Sequence, residues 1–264
     1  YFDNNPEMKA KGLPNGEVKS ILQKLRGKYG SSFVPKTTLR KPVGAPGQGQ
    51  SLENNIKIAN ALLDSAGWEM GADGIRSKNG NRMTIKLVLS SPLFQRIVEP
   101  YKNNLKKIGL RLDIKVVQIA KYEEILRNFN FDMIVANYPQ SRSPGNEQRS
   151  MWSSEAESTP GSRNYMGIKN PAIDELINII VEAKSRKELI NSIQAMDRIL
   201  THQFYIVPNW YIPYDRIVYW NKFSRPKINP SQSIIINNIL EWWWFDESKV
   251  TVLKKARASG SALQ

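Results

Sequence analysis

The chain has 264 residues, is 41% hydrophobic and carries a formal net charge of +14. It contains no cysteine and a single histidine, His202, which excludes disulfides, thiolate metal sites and any metal cluster built on several histidines. No apolar run reaches the roughly 18 residues needed to span a bilayer, and the length suits one substantial core, or one lobe plus fragments of another.

Residues 1–16 are polar and turn-rich, punctuated by Asn4-Asn5-Pro6 and Leu13-Pro14-Asn15-Gly16, and hold no complete element. They show neither the basic nor the apolar region of a signal peptide. A short helix follows, with Val18, Ile21, Leu22 and Leu25 on one face. Residues 35–50 read as a loop. Their glycines do not make a phosphate-binding loop, because no Gly-Lys-Ser/Thr follows and no apolar strand leads in.

From Glu53 the pattern becomes regular. Ile56, Ala59, Leu62, Leu63 and Ala66 form a helical face that Gly67 can terminate. Residues 83–89 are a strand. Phe94, Ile97, Val98, Tyr101, Leu105 and Ile108 give a helical period that Pro100 should kink or divide, with Gly109 at its end. Leu112, Ile114 and Val116 alternate with Asp113 and Lys115 as a half-buried strand. A short helix around Tyr122, Ile125 and Leu126 and a strand over 131–136 complete the series. Strand, helix, strand, helix, strand at this spacing argues for an α/β layer with a largely parallel sheet. Ligands bind beyond the carboxyl ends of such strands, so the segment from Asn137 onward is the first place to look.

Residues 138–169 form a long irregular stretch rich in aromatic, Arg, Asn and Glu residues, a length that in a compact domain usually carries function. Two helices then pair. One starts at Asn170-Pro171 and buries Ile173, Leu176, Ile177 and Ile180. The other starts with a Ser185/Glu188 capping box and buries Leu189, Ile193, Met196 and Leu200. Residues 204–211 read as an apolar strand broken by Pro208, 216–220 as a further strand, and 249–264 as a tail.

Nothing in this pattern assembles a catalytic set. A nucleophile needs a base beside it, and His202 sits at a helix C-terminus, where the dipole would stabilise it as a cation. Trp242-Trp243-Trp244 on a strand would point to alternate faces, so the three cannot form one stacking platform. The loop Gln140-Ser141-Arg142-Ser143-Pro144-Gly145-Asn146-Glu147-Gln148-Arg149, with Trp152 and Gly161-Ser162-Arg163-Asn164-Tyr165, offers donors, acceptors and both charge signs without a proton-transfer set. That is binding chemistry; the bland alternative is a loop that braces its own backbone. The basic charge leaves a nucleic-acid-binding module as the alternative function, although Lys and Arg are scattered and densest only at Lys106-Lys107 and Lys254-Lys255-Ala256-Arg257.

The motifs of this loop, with Phe131-Asp132-Met133, Gly12-Leu13-Pro14, Ala66-Gly67-Trp68, Ala195-Met196-Asp197-Arg198-Ile199-Leu200, Ile206-Val207-Pro208-Asn209-Trp210-Tyr211 and Trp242-Trp243, resemble the extracellular solute-binding proteins of peptide ABC transporters, in the branch for oligopeptide and microcin C uptake. The resemblance covers nearly the whole chain except the tail. It implies an α/β, periplasmic-binding-protein-like fold (type II, two-lobed), of which the chain would hold mainly the second lobe and a return into the first. The corresponding divisions are 1–50 near the hinge, 51–205 as the second lobe, 206–248 as the return and 249–264 as the tail.

It further implies a non-enzymatic, cofactor-free receptor in the periplasm, with three partners: a peptide or peptide-like ligand, permease subunits in the inner membrane, and a missing N-terminal lobe; nucleic acid is not among them. Relatives place an aspartate for the ligand's amino group where this chain has Gln140, which leaves Glu147 as a candidate for a ligand ammonium. Asn146 suits a peptide bond, Arg149 and Arg163 a carboxylate, and Trp152 and Tyr138 a ligand side chain. Ser143, Asn164 and Tyr211 complete the expected site.

Overall fold

The computed structural model describes residues 1–41, 51–212, 216–227 and 242–260. Within them the chain divides into two units, Tyr1–Asn209 and Trp210–Gln264. The expected phosphate-loop-free segment 42–50 and the last four residues of the expected tail lie outside the described residues.

In the first unit the turns of residues 1–9 lead to α1 (Gly16–Tyr29), which buries Val18, Leu22 and Leu25 and stops at Gly30, in a positive-φ conformation. Helix α2 (Leu52–Ser65) starts where the Ser51 hydroxyl accepts from the Asn54 N–H. A three-stranded antiparallel meander follows: β1 (Glu69–Met70), β2 (Arg76–Lys78) and β3 (Asn81–Arg82). Between β2 and β3, Asn79 (φ 50°) and Gly80 (φ 77°) both take the left-handed region, the two-residue turn that matches strand twist.

The expected alternation is then realised. Strands β4 (Thr84–Leu89), β5 (Arg111–Val116) and β6 (Met133–Ile134) form a parallel sheet with β4 in the centre. Helices α3 (Gln95–Lys106) and α4 (Ile119–Arg127) are the crossovers. Leu87, Leu89, Val98 and Leu112 make a small core of their own. Two expectations are corrected. Helix α3 is not divided at Pro100, because the proline removes one backbone bond while Val98, Tyr101 and Leu105 still anchor the helix to the sheet. The third strand is two residues long rather than six, since it pairs on one side only.

Arg76 locks these parts together. Its Nε donates to the Ile108 carbonyl (2.9 Å), Nη1 to Asp64 (2.6 Å) and to the Trp68 carbonyl, and Nη2 to Asn60 (2.9 Å). Its side chain is buried, while Asp64 is largely exposed. At Gly109 (φ +78°) a Cβ would lie 2.6 Å from Arg76 Cγ and 2.9 Å from the end of Met70.

The second and larger core packs α1 against α5 (Glu147–Trp152), α6 (Pro171–Glu182) and α7 (Arg186–His202). Phe2 and Met8, from the N-terminal turns, are fully buried in it beside Trp152, Ile168 and Ile173. Residues 1–39 and 138–205 therefore share one interior, whereas the parallel sheet has another. The expected caps form: Asn170 accepts from Ala172 N–H (3.0 Å), and Ser185 accepts from Glu188 N–H (3.1 Å). The Glu188 carboxylate reaches back to Lys184 N–H (2.8 Å), one residue beyond the usual box partner. His202 is 5% exposed, and burial beside Arg198 pushes its imidazole pKa down. Burial and the Arg198 charge thus favour its neutral form, against the dipole-stabilised cation expected from its place at a helix end.

Neither 204–211 nor 216–220 is a strand. In the second unit the paired strands are β7 (Phe223–Ser224) and β8 (Trp244–Phe245). The expected tail is mostly helix α8 (Glu247–Ser259), started by Asp246 and ended by Gly260 at φ 67°. Trp243 packs edge-on against Tyr219 at 4.5 Å, while Trp244 is half exposed, so the tryptophan run does divide between two environments. Trp210, Val218, Trp220 and Phe245 are also exposed.

Two outcomes are expected. Gly109→Ala should cost at least about 1–3 kcal/mol, because it combines a left-handed backbone with overpacking against Arg76; chemical denaturation of wild type and variant measures it. The Asp246 carboxylate accepts from Ser224, Ser248 and Lys249 N–H, which hold its pKa down to about 2 from the usual 3.8. Since the folded value is depressed, its stabilising contribution is complete above about pH 4 and is lost as pH falls through about 2. Helical circular dichroism should decline across that window, and Asp246→Asn should flatten the decline.

Candidate functional site

Parallel pairing puts the carboxyl ends of β4, β5 and β6 on one edge, with Leu89 opposite Val116 and Val88 opposite Ile134. A broad open groove of about 610 Å³ lies there, lined by Ser90, Pro92, Val116, Val117, Gln118 and Ile119. Its lining among the described residues carries no charge. Ile119 is 69% exposed and the adjoining Leu93 is 70% exposed, so aliphatic surface faces outward at this edge. Helix α4 begins at this edge without a side-chain cap. The general rule for such sheets points to the ends of β4 and β5 as well as to the loop after β6.

The loop after β6 is tied to the sheet by aromatic contacts. Tyr165 stands 6.4 Å from Phe131 and 6.3 Å from Tyr138, and Tyr138 stands 4.8 Å from Trp152. Tyr122 on α4 donates to the Val135 carbonyl (3.3 Å).

The expected site residues fall into two groups. Trp152 and Asn164 have no exposed surface. Trp152 lies in the core with Tyr1 and Tyr138, and its indole N–H donates to Gln148 (2.7 Å). Asn164 donates to the carbonyls of Ser153 (3.0 Å) and Ile168 (2.8 Å) and accepts from Ile168 N–H (2.8 Å). Gln140 is 7% exposed, with its amide engaged by Gln148 (2.8 Å) and Met151. Tyr138 donates to the Arg163 carbonyl (3.1 Å), and burial pushes its phenol pKa well above the usual range. The Arg163 guanidinium lies over the Tyr138 ring and donates to the Asn137 carbonyl.

The second group faces outward. Asn146, Glu147 and Arg149 are exposed on the first turn of α5. Glu147 accepts from Gly145 N–H (3.0 Å) and Gln148 (3.2 Å), and Arg149 donates to Asn146 (3.1 Å). Among the described residues neither Arg149 nor Arg163 pairs with Glu147, whose partners are Gly145 and Gln148. Ser143 is exposed near Arg186, which also binds the Arg142 carbonyl and Glu7. Tyr211 belongs to the second unit and is 47% exposed. Gln148, part of the candidate loop but not of the expected site, is fully buried and joined to both Gln140 and Trp152; its four-residue spacing from Trp152 is the available signal. No group of three His, Asp or Glu among the described residues could hold a metal ion.

Residues 18–160 match the family model of the bacterial extracellular solute-binding proteins, family 5, over more than half of the chain. The chain belongs to this family. It is similar to a probable peptide-binding protein, YejA, of Agrobacterium fabrum, at 33% identity over 92% of this chain and 39% of the relative. It is also similar to a peptidoglycan-binding protein, YepA, of the same organism, at 31% identity over 72% of this chain and 30% of the relative. The oligopeptide-binding protein AppA of Bacillus subtilis, solved with a nonapeptide, superposes with a TM-score of 0.57 at 19% identity, over 87% of this chain and 45% of that one. The chain thus spans less than half the length of the relatives it matches, and its fold is part of the type II, two-lobed class.

If Asn164 is a brace, Asn164→Ala should lower stability by about 2–4 kcal/mol, because it strands a buried Ile168 N–H and two carbonyls. Thermal unfolding measures this, and Asn146→Ala, an exposed change, should shift the midpoint little.

Proposed function

We propose that the chain is part of the substrate-binding component of an ABC importer, which captures peptides or peptide-like compounds between two lobes and hands them to permease subunits in the inner membrane. The observation that carries this reading is the exposed apolar groove at the carboxyl edge of the parallel sheet, within a chain of the solute-binding family. In this reading the protein works in the periplasm, binds without turnover, and needs no cofactor. The expected division stands as a proposal: 51–205 within the lobe that closes and 206–248 returning to the other, which the remainder of the protein supplies. Compounds of the microcin C type are included in the ligand class.

The placement of the side chains refines which residues should touch ligand. Groups already satisfied in the interior, Trp152, Asn164 and Gln140, shape the loop. Asn146, Glu147, Arg149 and the aliphatic floor at Ile119 remain exposed to a ligand. A closed receptor must satisfy the peptide's polar groups, and the Arg149 fork suits a carboxylate.

Calorimetric titration of the full-length protein with short peptides tests the reading. Arg149→Ala and Ile119→Asp should each weaken binding at least tenfold, about 1.4 kcal/mol, with little change in melting temperature. Failure of the full-length protein to bind any peptide would sink the function. Undiminished affinity in both variants would move the contact away from this edge and loop.

A further inference from the structure

Away from the groove, a second cavity of about 180 Å³ opens at the N-terminal end of α1. Lys11, Asn15, Gln194 and Arg198 supply its polar walls, and Leu13, Pro14 and Val18 line the rest. Arg198 is 2% exposed. Its two terminal nitrogens donate to the carbonyls of Arg40 (3.0 Å), Lys11 (2.6 Å) and Gly12 (3.0 Å), while its Nε has no hydrogen-bond partner among the described residues. It forms no ion pair among them either. The adjacent Asp197 carboxylate is engaged by the backbone nitrogens of Tyr1 (3.0 Å) and Ala10 (2.8 Å). Burial disfavours the charged guanidinium, the nearby Asp197 carboxylate offsets this in part, and an anion on the cavity side would lower the cost further.

Three further features favour negative charge in the same place. Lys11 brings a second cation to the cavity wall. Helix α1 is fourteen residues long and begins there without a side-chain cap from Asn15, so its first-turn N–H groups and the positive end of its dipole face that side. The Gln194 amide, anchored by donation to the Glu7 carbonyl (2.7 Å), holds a polar group at the rim. The one acid in the first turn of α1, Glu17, is not part of the lining.

We infer that this cavity binds a small oxyanion, such as phosphate or a carboxylate, between Lys11, Arg198 and the start of α1. The site is separate from the peptide groove and does not depend on that function. Its bound anion would tie the N-terminal turns, α1 and α7 more firmly together.

The test is calorimetric titration of the full-length protein with inorganic phosphate and, separately, with acetate, at ionic strength held constant with chloride. At least one of the two should bind saturably and raise the melting temperature beyond the chloride control. Acetate binding alone would mark a planar carboxylate site, and phosphate binding a tetrahedral one. Lys11→Gln, an exposed change, should weaken that binding at least fivefold while leaving the anion-free melting temperature unchanged. Asn15→Asp, which places a carboxylate in the cavity, should abolish the response without loss of fold. No saturable binding of either anion, or binding that both variants leave intact, would overturn the inference.

Discussion

Two adjacent charged residues in the middle of α7 govern how the larger core is assembled. Asp197 accepts from the Tyr1 nitrogen and the Ala10 N–H, and Arg198 donates to carbonyls of Lys11, Gly12 and Arg40. Both side chains are almost fully buried. Burying charge is unfavourable, but here each charge satisfies backbone groups that have no helix or strand to pair with. The irregular N-terminal segment can therefore enter the interior, bringing Phe2 and Met8 with it. Remove either charge and the turns of residues 1–12 lose their partners, and the packing of Trp152 against Tyr1 loses one wall.

The candidate site depends on that assembly. Asn4 donates to the Gln140 carbonyl (2.9 Å) and Asn5 to that of Ser141 (3.3 Å), so the turns fixed by α7 in turn fix the start of the loop. From there the order passes along Gln140, Gln148 and Trp152 to α5. The loop is thus hydrogen-bonded and buried beneath and exposed above. Interior amides set its course, and Asn146, Glu147 and Arg149 ride on its surface. Such an arrangement limits the side-chain and backbone entropy that ligand binding would otherwise have to overcome.

Much of the fold was legible. The alternation of Leu112, Ile114 and Val116, the helical face around Val98 and Tyr101, and the caps at Asn170 and Ser185 are local patterns, and each appears near its expected place. What failed was either too short or too distant. Strands of two residues, such as Phe223–Ser224 and Trp244–Phe245, are below any periodic signal. Phe2 and Met8 sit in turns, so no spacing marks them as core. Arg76 and Gln148 look like ordinary surface residues until partners far away, or one helical turn away, are known. Two misses had signals: Asn79-Gly80 for a tight hairpin, and Asp246 ahead of a run of Lys, Leu and Ala for a helix rather than a tail.

Residue type alone does not divide the candidate site between interior and surface. A list drawn from residue type alone treats Trp152, Asn164 and Arg149 as equivalent contributors. Burial separates them. A tryptophan with no exposed surface and a satisfied indole N–H has nothing left to offer a ligand without dismantling the core, and an asparagine with three backbone bonds is in the same position. Arg149, bound through Nε to one exposed asparagine, can turn its fork outward at the cost of a single solvent-exposed hydrogen bond. Ile119 and Leu93 invert the argument. Sequence periodicity assigns aliphatic residues to the interior, yet these two stand exposed at the carboxyl edge of the sheet, and their exposure costs stability unless a ligand or another part of the protein covers them. Residues that the fold leaves unsatisfied, rather than those with the most versatile chemistry, are the ones that gain most from being covered.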